Sequence, residues 1–166
     1  YDFGVIPIET ISAVYEDFIR AEDARAQRKK GAYYTPPKLV EFTSDLATEA
    51  ESDLIDKRVL DPGCGSGAFL VSMFNRMAEA WIRQNGRAKN GTRAQALAKI
   101  LREQICGVDL SPIACQATCF SLYMARNERD RLTKERMRLA KRKVQIDRRL
   151  TEIDEEMDEL LELATK

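Results

Sequence analysis

Asp61 and Pro62 are followed by three alternate glycines, Gly63, Gly65 and Gly67, with Cys64 and Ser66 between them. A short apolar run, Arg58 to Asp61, enters this stretch, and Ala68-Phe69-Leu70 leaves it at helical periodicity. The order expected is therefore strand, tight turn, helix. Glycines in such a turn let backbone amides approach a ligand closely, and the helix N-terminus favours negative charge. A dinucleotide would bring a pyrophosphate to that spot. S-adenosylmethionine would bring a carboxylate and an ammonium. Asp61 favours the second, because an acid at the strand end repels a pyrophosphate and meets an ammonium, directly or through water. The glycine spacing agrees, since it does not form G-x-G-x-x-G. The plain alternative is a tight turn without a ligand, for which three glycines behind Asp-Pro are costly punctuation.

Asp109 is the second signal. It stands at the end of a second apolar run, Ile105-Cys106-Gly107-Val108, expected to be a buried strand, and Leu110-Ser111-Pro112 opens a helix. Ser111 suits the N-cap and Pro112 the first turn. An acid in that place can take both ribose hydroxyls of a nucleoside, with Leu110 against the adenine. Alone, Asp109 reads equally well as an acid helping to cap the next helix. Its separation from Asp61 exceeds a minimal strand-helix-strand unit, and an extra helix over 93–103 accounts for it.

Composition excludes other chemistry. The 166 residues contain no histidine, so the chain itself holds no Ser-His-Asp or Cys-His nucleophile, no histidine metal ligand and no histidine pH switch. Cys64, Cys106, Cys115 and Cys119 match no zinc spacing and read as free structural thiols, so no metal is expected and the cytoplasm is the default compartment. No apolar run approaches the roughly 20 residues of a membrane span. Tyr1 to Thr10 has no basic n-region, so no signal peptide is expected.

The remaining elements must position these residues. Ile8, Ile11, Val14, Tyr15, Phe18 and Ile19 form a helical stripe. Gly31 to Pro37 is a loop, because paired prolines disfavour helix before them, and a helix follows to about Ala50. The helix from Ala68 to about Arg83 is expected to bury Phe69, Leu70, Met73, Met77, Ala80 and Trp81. Gly86 to Thr92 reads as a polar connection.

The composition changes at Arg126. Residues 126–149 hold eleven basic and four acidic side chains, a net of +7, and residues 151–162 hold seven acidic and no basic ones, a net of −7. The overall charge of zero hides both blocks. Leu132, Leu139, Ile146, Ile153 and Leu160 recur every seven residues, joined by Leu150, Met157 and Ala164, whereas Arg136 and Lys143 occupy the second seam earlier. This is a coiled-coil-like helix whose seam is good after about Ile146. A charge run is also the ordinary mark of a solvated helix face. Residues 130–164 are a candidate surface for a helical partner, and the basic half a candidate for DNA phosphates.

Gly31-Ala32-Tyr33-Tyr34-Thr35-Pro36-Pro37, the stretch Asp61 to Leu70, and Gly107-Val108-Asp109-Leu110-Ser111-Pro112 together resemble the opening half of DNA adenine-N6 methyltransferases. The subgroup most similar is the large bacterial restriction-modification enzymes that fuse methyltransferase and nuclease. The likeness spans about residues 1–125; Ile6-Pro7-Ile8-Glu9 is similar to the segment before the Tyr-Thr-Pro-Pro motif, and Gln145 to Thr165 to a helical segment of the fused enzymes. It implies that Tyr34, Thr35 and Pro36 flank the methionine end of S-adenosylmethionine. It implies that Asp61, Gly63, Gly65, Ser66, Gly67 and Phe69 form its cradle, and that Asp109 and Leu110 hold ribose and adenine. Gly63 stands where the family usually has alanine. The family's catalytic tetrapeptide, Asp or Asn, then Pro-Pro, then an aromatic, is absent: the one Pro-Pro, Pro36-Pro37, lies between Thr35 and Lys38.

The expectation is thus an α/β chain: an incomplete Rossmann-like S-adenosylmethionine-dependent methyltransferase fold with added N-terminal helices and a long C-terminal helix. Residues 1–125 would be the cofactor-binding half of a methyltransferase domain and 126–166 a charged helical segment. The complete protein would act on DNA, and no catalytic residue is assigned here. Competing readings are a non-catalytic cofactor-binding or coiled-coil interaction module, and a methyltransferase acting on protein or RNA.

Overall fold

The computed structural model describes residues 10, 13–15, 17, 35–51, 53–86 and 90–164, the side chains of Asn90 and of 158–164 excepted. These residues are mostly helical around a small parallel sheet. The order is α1 (Pro37–Thr48), β1 (Val59–Asp61), α2 (Ala68–Gln84), α3 (Asn90–Lys99), a π-helical turn (Ile100–Gln104), β2 (Ile105–Gly107) and α4 (Pro112–Ala164). Residues 10, 13–15 and 17 are helical, within the stripe expected there; Ile8, Ile11, Phe18 and Ile19 lie outside the described residues.

β1 and β2 pair in parallel, with Val59 opposite Ile105 and Asp61 opposite Gly107. The second strand is shorter than expected and ends at Gly107. Beyond it the chain leaves the ladder and bonds to the turn: Val108 N–H still donates to the Asp61 carbonyl (2.9 Å), but its carbonyl accepts from Cys64 N–H (3.0 Å). Nor is this strand buried, since Cys106 and Gly107 are exposed, as is Leu60 on β1. α2 packs against both strands as well as α1, with Val59 and Ile105 against its core face.

The core lies along α2. Leu70, Phe74, Met77 and Ala78 are fully buried with Leu97, and Val71, Ile100 and Ala125 complete the cluster. Leu70, Met77 and Ala80 are buried as expected, but the face is rotated: Val71, Phe74 and Ala78 also belong inside, whereas Phe69, Met73 and Trp81 are half-buried. α1 is clamped to α2 by polar contacts. Arg76 bridges Glu41 (2.8 Å) and Asp45 (2.6 Å), and Ser72 donates to Glu41 (3.0 Å). The helix expected over 93–103 begins at Asn90 and ends in the π turn, whose Gln104 side chain donates to the Ile55 carbonyl ahead of β1.

The chain divides into two compact units, Tyr1–Glu128 and Arg129–Lys166. In the second, the chain is helical through Ala164, and every side chain from Lys134 to Met157 is exposed. The seam residues Ile146 (51 %) and Leu150 (54 %) are among them. Its described contacts are local: Arg149 pairs with Glu152 at 2.8 Å, and the Thr151 hydroxyl donates to the Asp147 carbonyl.

Candidate cofactor site

β1 delivers Asp61 to the start of the glycine turn. Its Oδ1 accepts Gly63 N–H at 3.0 Å, closing a two-residue side-chain turn that orients the glycines beyond it. Its Oδ2 is buried and has no hydrogen-bond partner among the described residues. An unsatisfied buried carboxylate oxygen costs about 1–3 kcal/mol or more, so it marks a place where a donor belongs. Beside it a groove of about 530 Å³ runs along the edge of β1 that β2 leaves unpaired, lined by Asp61, Pro62, Phe69, Met73 and, from α1, Thr43 and Ser44. Ser44 Oγ is a second buried polar atom without a partner there.

The turn itself requires glycine at two positions. Gly65 and Gly67 have φ of +53° and +90°, in the left-handed region that side chains disfavour. A Cβ at Gly63 or Gly65 would meet open space, whereas one at Gly67 would lie 3.1 Å from Thr118. The turn thus presents bare backbone on one side and rests on α4 on the other. Thr118 Oγ1 donates to the Gly65 carbonyl at 2.9 Å, and Gly67 N–H donates to the Cys64 carbonyl at 2.7 Å. Gly67 caps α2, and its carbonyl accepts Val71 N–H.

Asp109 lies two residues past β2, held by the same turn. Its Oδ2 accepts Gly65 N–H at 3.0 Å and its Oδ1 accepts Ser111 N–H at 2.8 Å. The capping reading of this acid is met in that geometry, which also ties the helix start to the glycine turn, and each oxygen retains a second lone pair. Ser111 caps α4 through a 3.4 Å bond from Ala114 N–H. Leu110, 94 % exposed, is an uncovered apolar side chain next to it.

The expected site residues thus fall into groups. Asp61, Gly63, Gly65, Gly67 and Asp109 are brought together by direct hydrogen bonds or turn geometry. Half-buried Ser66 is in the same turn, Phe69 opens α2 on the groove, and Leu110 adjoins Asp109. Thr35 and Pro36 precede α1, whose first turn is begun by the Pro36 carbonyl accepting Leu39 and Val40 N–H. Tyr34 lies outside the described residues.

Three residues to which the sequence reading gave no role at the site help to build it. Thr118 seats the turn from α4. Gly107 admits α2 to β2: a Cβ there would lie 2.8 Å from Leu70 Cδ1 and 3.1 Å from Cys64. Tyr15, expected only as part of an apolar stripe, hydrogen-bonds the Ser111 side chain; burial, then the neighbouring Asp109 charge, raise its phenol above the usual pKa. Burial likewise raises the Cys64 thiol, against a lowering hydrogen bond from Thr118. Only Gly107 carried a signal, its place in the Gly-Val-Asp run.

Among the described residues no cluster of cysteine and carboxylate side chains is arranged to hold a metal, and no helix is long and apolar enough to cross a membrane. The fit to a nucleoside ligand with a charged amino-acid end rests on the bare turn, the unpartnered Asp61 oxygen and exposed Leu110.

Comparison with known proteins gives the family. Over 74 residues, 44 % of this chain, the sequence is 35 % identical to the Type II methyltransferase M.PaeR7I of Pseudomonas aeruginosa, and the match spans 12 % of that relative's length. The family model for N-6 DNA methylase matches residues 7–146, which contain the glycine turn, Asp109 and the start of the charged helix. The chain belongs to the N-6 DNA methylase family.

Proposed function

We propose that this chain is the S-adenosylmethionine-binding part of a site-specific DNA adenine-N6 methyltransferase of a restriction-modification system, working in the cytoplasm on DNA through the complete protein. The observation that carries the reading is Asp61: a buried carboxylate oxygen without a partner among the described residues, beside a bare glycine turn, in a chain of this family.

In this reading Asp61 takes the ammonium end of the cofactor, directly or through water, and Gly63 and Gly65 offer backbone at close range. Thr35, Pro36 and Phe69 flank that end. Asp109 uses its remaining lone pairs for the ribose hydroxyls, and Leu110 lies against the adenine. Bound S-adenosylmethionine supplies an electrophilic methyl group. The sheet, two strands among the described residues, is read as part of a Rossmann-like domain that further strands complete.

Methyl transfer to adenine N6 also needs acceptors for the amino group and a surface that holds the flipped base. The Asp/Asn-Pro-Pro-aromatic set that would provide them is absent from these residues. The chain alone is therefore expected to bind and not to turn over.

Titration calorimetry tests the binding. S-adenosylmethionine should bind and NAD should not, and Asp61→Asn should weaken binding by about 1.5–3 kcal/mol, the value of a charge-assisted hydrogen bond. Equal binding of NAD, or an unaffected Asp61→Asn, would overturn the assignment. Tritiated methyl incorporation into mixed-sequence DNA should be absent with this chain and present with the complete protein.

A further inference from the structure

The second unit is one exposed helix bearing an apolar row and two opposite charge blocks, and nothing described covers it. From Lys134 to Met157 no side chain is buried, including Leu139, Ile146, Leu150, Ile153 and Met157. A lone helix with such a row is poorly stabilised by local pairs worth a few tenths of a kcal/mol each. The row requires a facing helix of the same period.

The charge order selects the partner. We propose that a second copy of this chain covers the row, running antiparallel, so that the basic half of each helix lies against the acidic half of the other. A parallel pair would place +7 on +7 and −7 on −7, which like-charge repulsion opposes. An antiparallel pair turns the same segregation into attraction along the whole contact. This assignment is independent of what the glycine turn binds.

The apolar positions fix the register. Antiparallel helices interleave one seam position with the other seam position of the partner. Centring the pair on Arg148 layers Ile146 on Leu150, Leu139 on Met157 and Leu132 on Ala164, each twice by symmetry. Lys143 and Arg136 then meet Ile153 and Leu160, with their charged ends reaching the acidic block. In this register residues 151–162, at −7, face residues 134–145, which hold six basic side chains and one acidic. Sliding by one heptad lowers that opposing charge from +5 to +3 or +2. Arg142 lies opposite Glu156. The two Arg149 side chains approach at the axis, each already held by Glu152 at 2.8 Å and within 3.9 Å of Glu156 in its own helix.

Sedimentation equilibrium of the 166-residue chain tests the pair. A reversible dimer is expected, weakened about tenfold or more between about 50 and 500 mM NaCl as the charge blocks are screened. Ile146→Glu and, separately, Leu150→Glu should each give a monomer while the thermal transition of the first unit stays in place. Zero-length carbodiimide coupling in a mixture of isotope-labelled and unlabelled chains should join Lys143 of one copy to Asp154 of the other. Those residues are eleven apart and about 16 Å along one helix, too far for a link within a chain. A chain monomeric throughout the micromolar range, a dimer indifferent to both substitutions, or links between Lys143 and Asp147 of different copies would overturn the proposal. So would a monomer whose basic half is instead protected by duplex DNA.

Discussion

The glycine turn and the C-terminal helix solve opposite problems. The turn is held by bonds between residues far apart in the chain: Gly65 to Asp109, Thr118 to Gly65, Cys64 to Val108. Each of them engages a backbone atom of the turn, and two are made by side chains brought from beyond β2, Asp109 and Thr118. The helix beyond Arg129 is described by contacts within one or two turns, such as Arg149 with Glu152. A site that must hold a ligand in one geometry is built from long-range bonds, whereas a surface read through its charge needs only a regular backbone.

The contrast breaks most visibly through the core. Phe74→Ala should destabilise the first unit by about 3–5 kcal/mol, through lost burial and the cavity left behind. Urea denaturation followed by Trp81 fluorescence would measure it, and an unchanged midpoint would mean that the turn does not depend on α2 packing. A smaller loss, about 1–3 kcal/mol, is expected for Gly107→Ala, because a Cβ there would lie 2.8 Å from buried Leu70 and 3.1 Å from buried Cys64, which must shift. Thr118→Val keeps the shape, removes the bond to the Gly65 carbonyl, and should cost about 1 kcal/mol.

Reactivity sharpens the comparison without altering the fold. The thiolate is the nucleophile, so a thiol pKa raised by burial leaves less of it at a given pH. Under mild iodoacetamide treatment, exposed Cys106 and Cys119 should alkylate first and Cys64 last, as read by peptide mass spectrometry. Rapid labelling of Cys64 would show the turn opening in solution. The smallest effect belongs to the helix: Arg149→Ala removes an exposed local pair and should leave the melting temperature of the first unit unchanged.

What is legible in the sequence divides along the same line. Strand, turn and helix around Gly63 to Gly67 can be read because glycine and Asp-Pro carry local conformational meaning. The long helix can be read because a heptad row without breakers has few alternatives. The seating of the turn is not legible, because Thr118 lies 53 residues from Gly65 and looks like any helical threonine. The buried face of α2 comes out rotated: Met73, Phe74 and Met77 are all apolar, and only the packing of Leu97 and Ile100 decides which turn inward. Asp109 beside Ser111 is readable as a helix-capping acid, but its bond to Gly65 depends on the two strands lying side by side.

The continuous α4 has an electrical consequence. Its blocks of +7 and −7 have centres about 19 residues apart, or about 28 Å at the helical rise. The chain is neutral at pH 7, yet that helix carries a dipole moment on the order of a thousand debye, far above the roughly 3.5 debye of one peptide unit. An uncombined chain at low ionic strength should therefore adhere to both cation- and anion-exchange resins and orient strongly in an applied field. Two antiparallel helices would cancel this moment, so dielectric relaxation registers whether the helix stands alone.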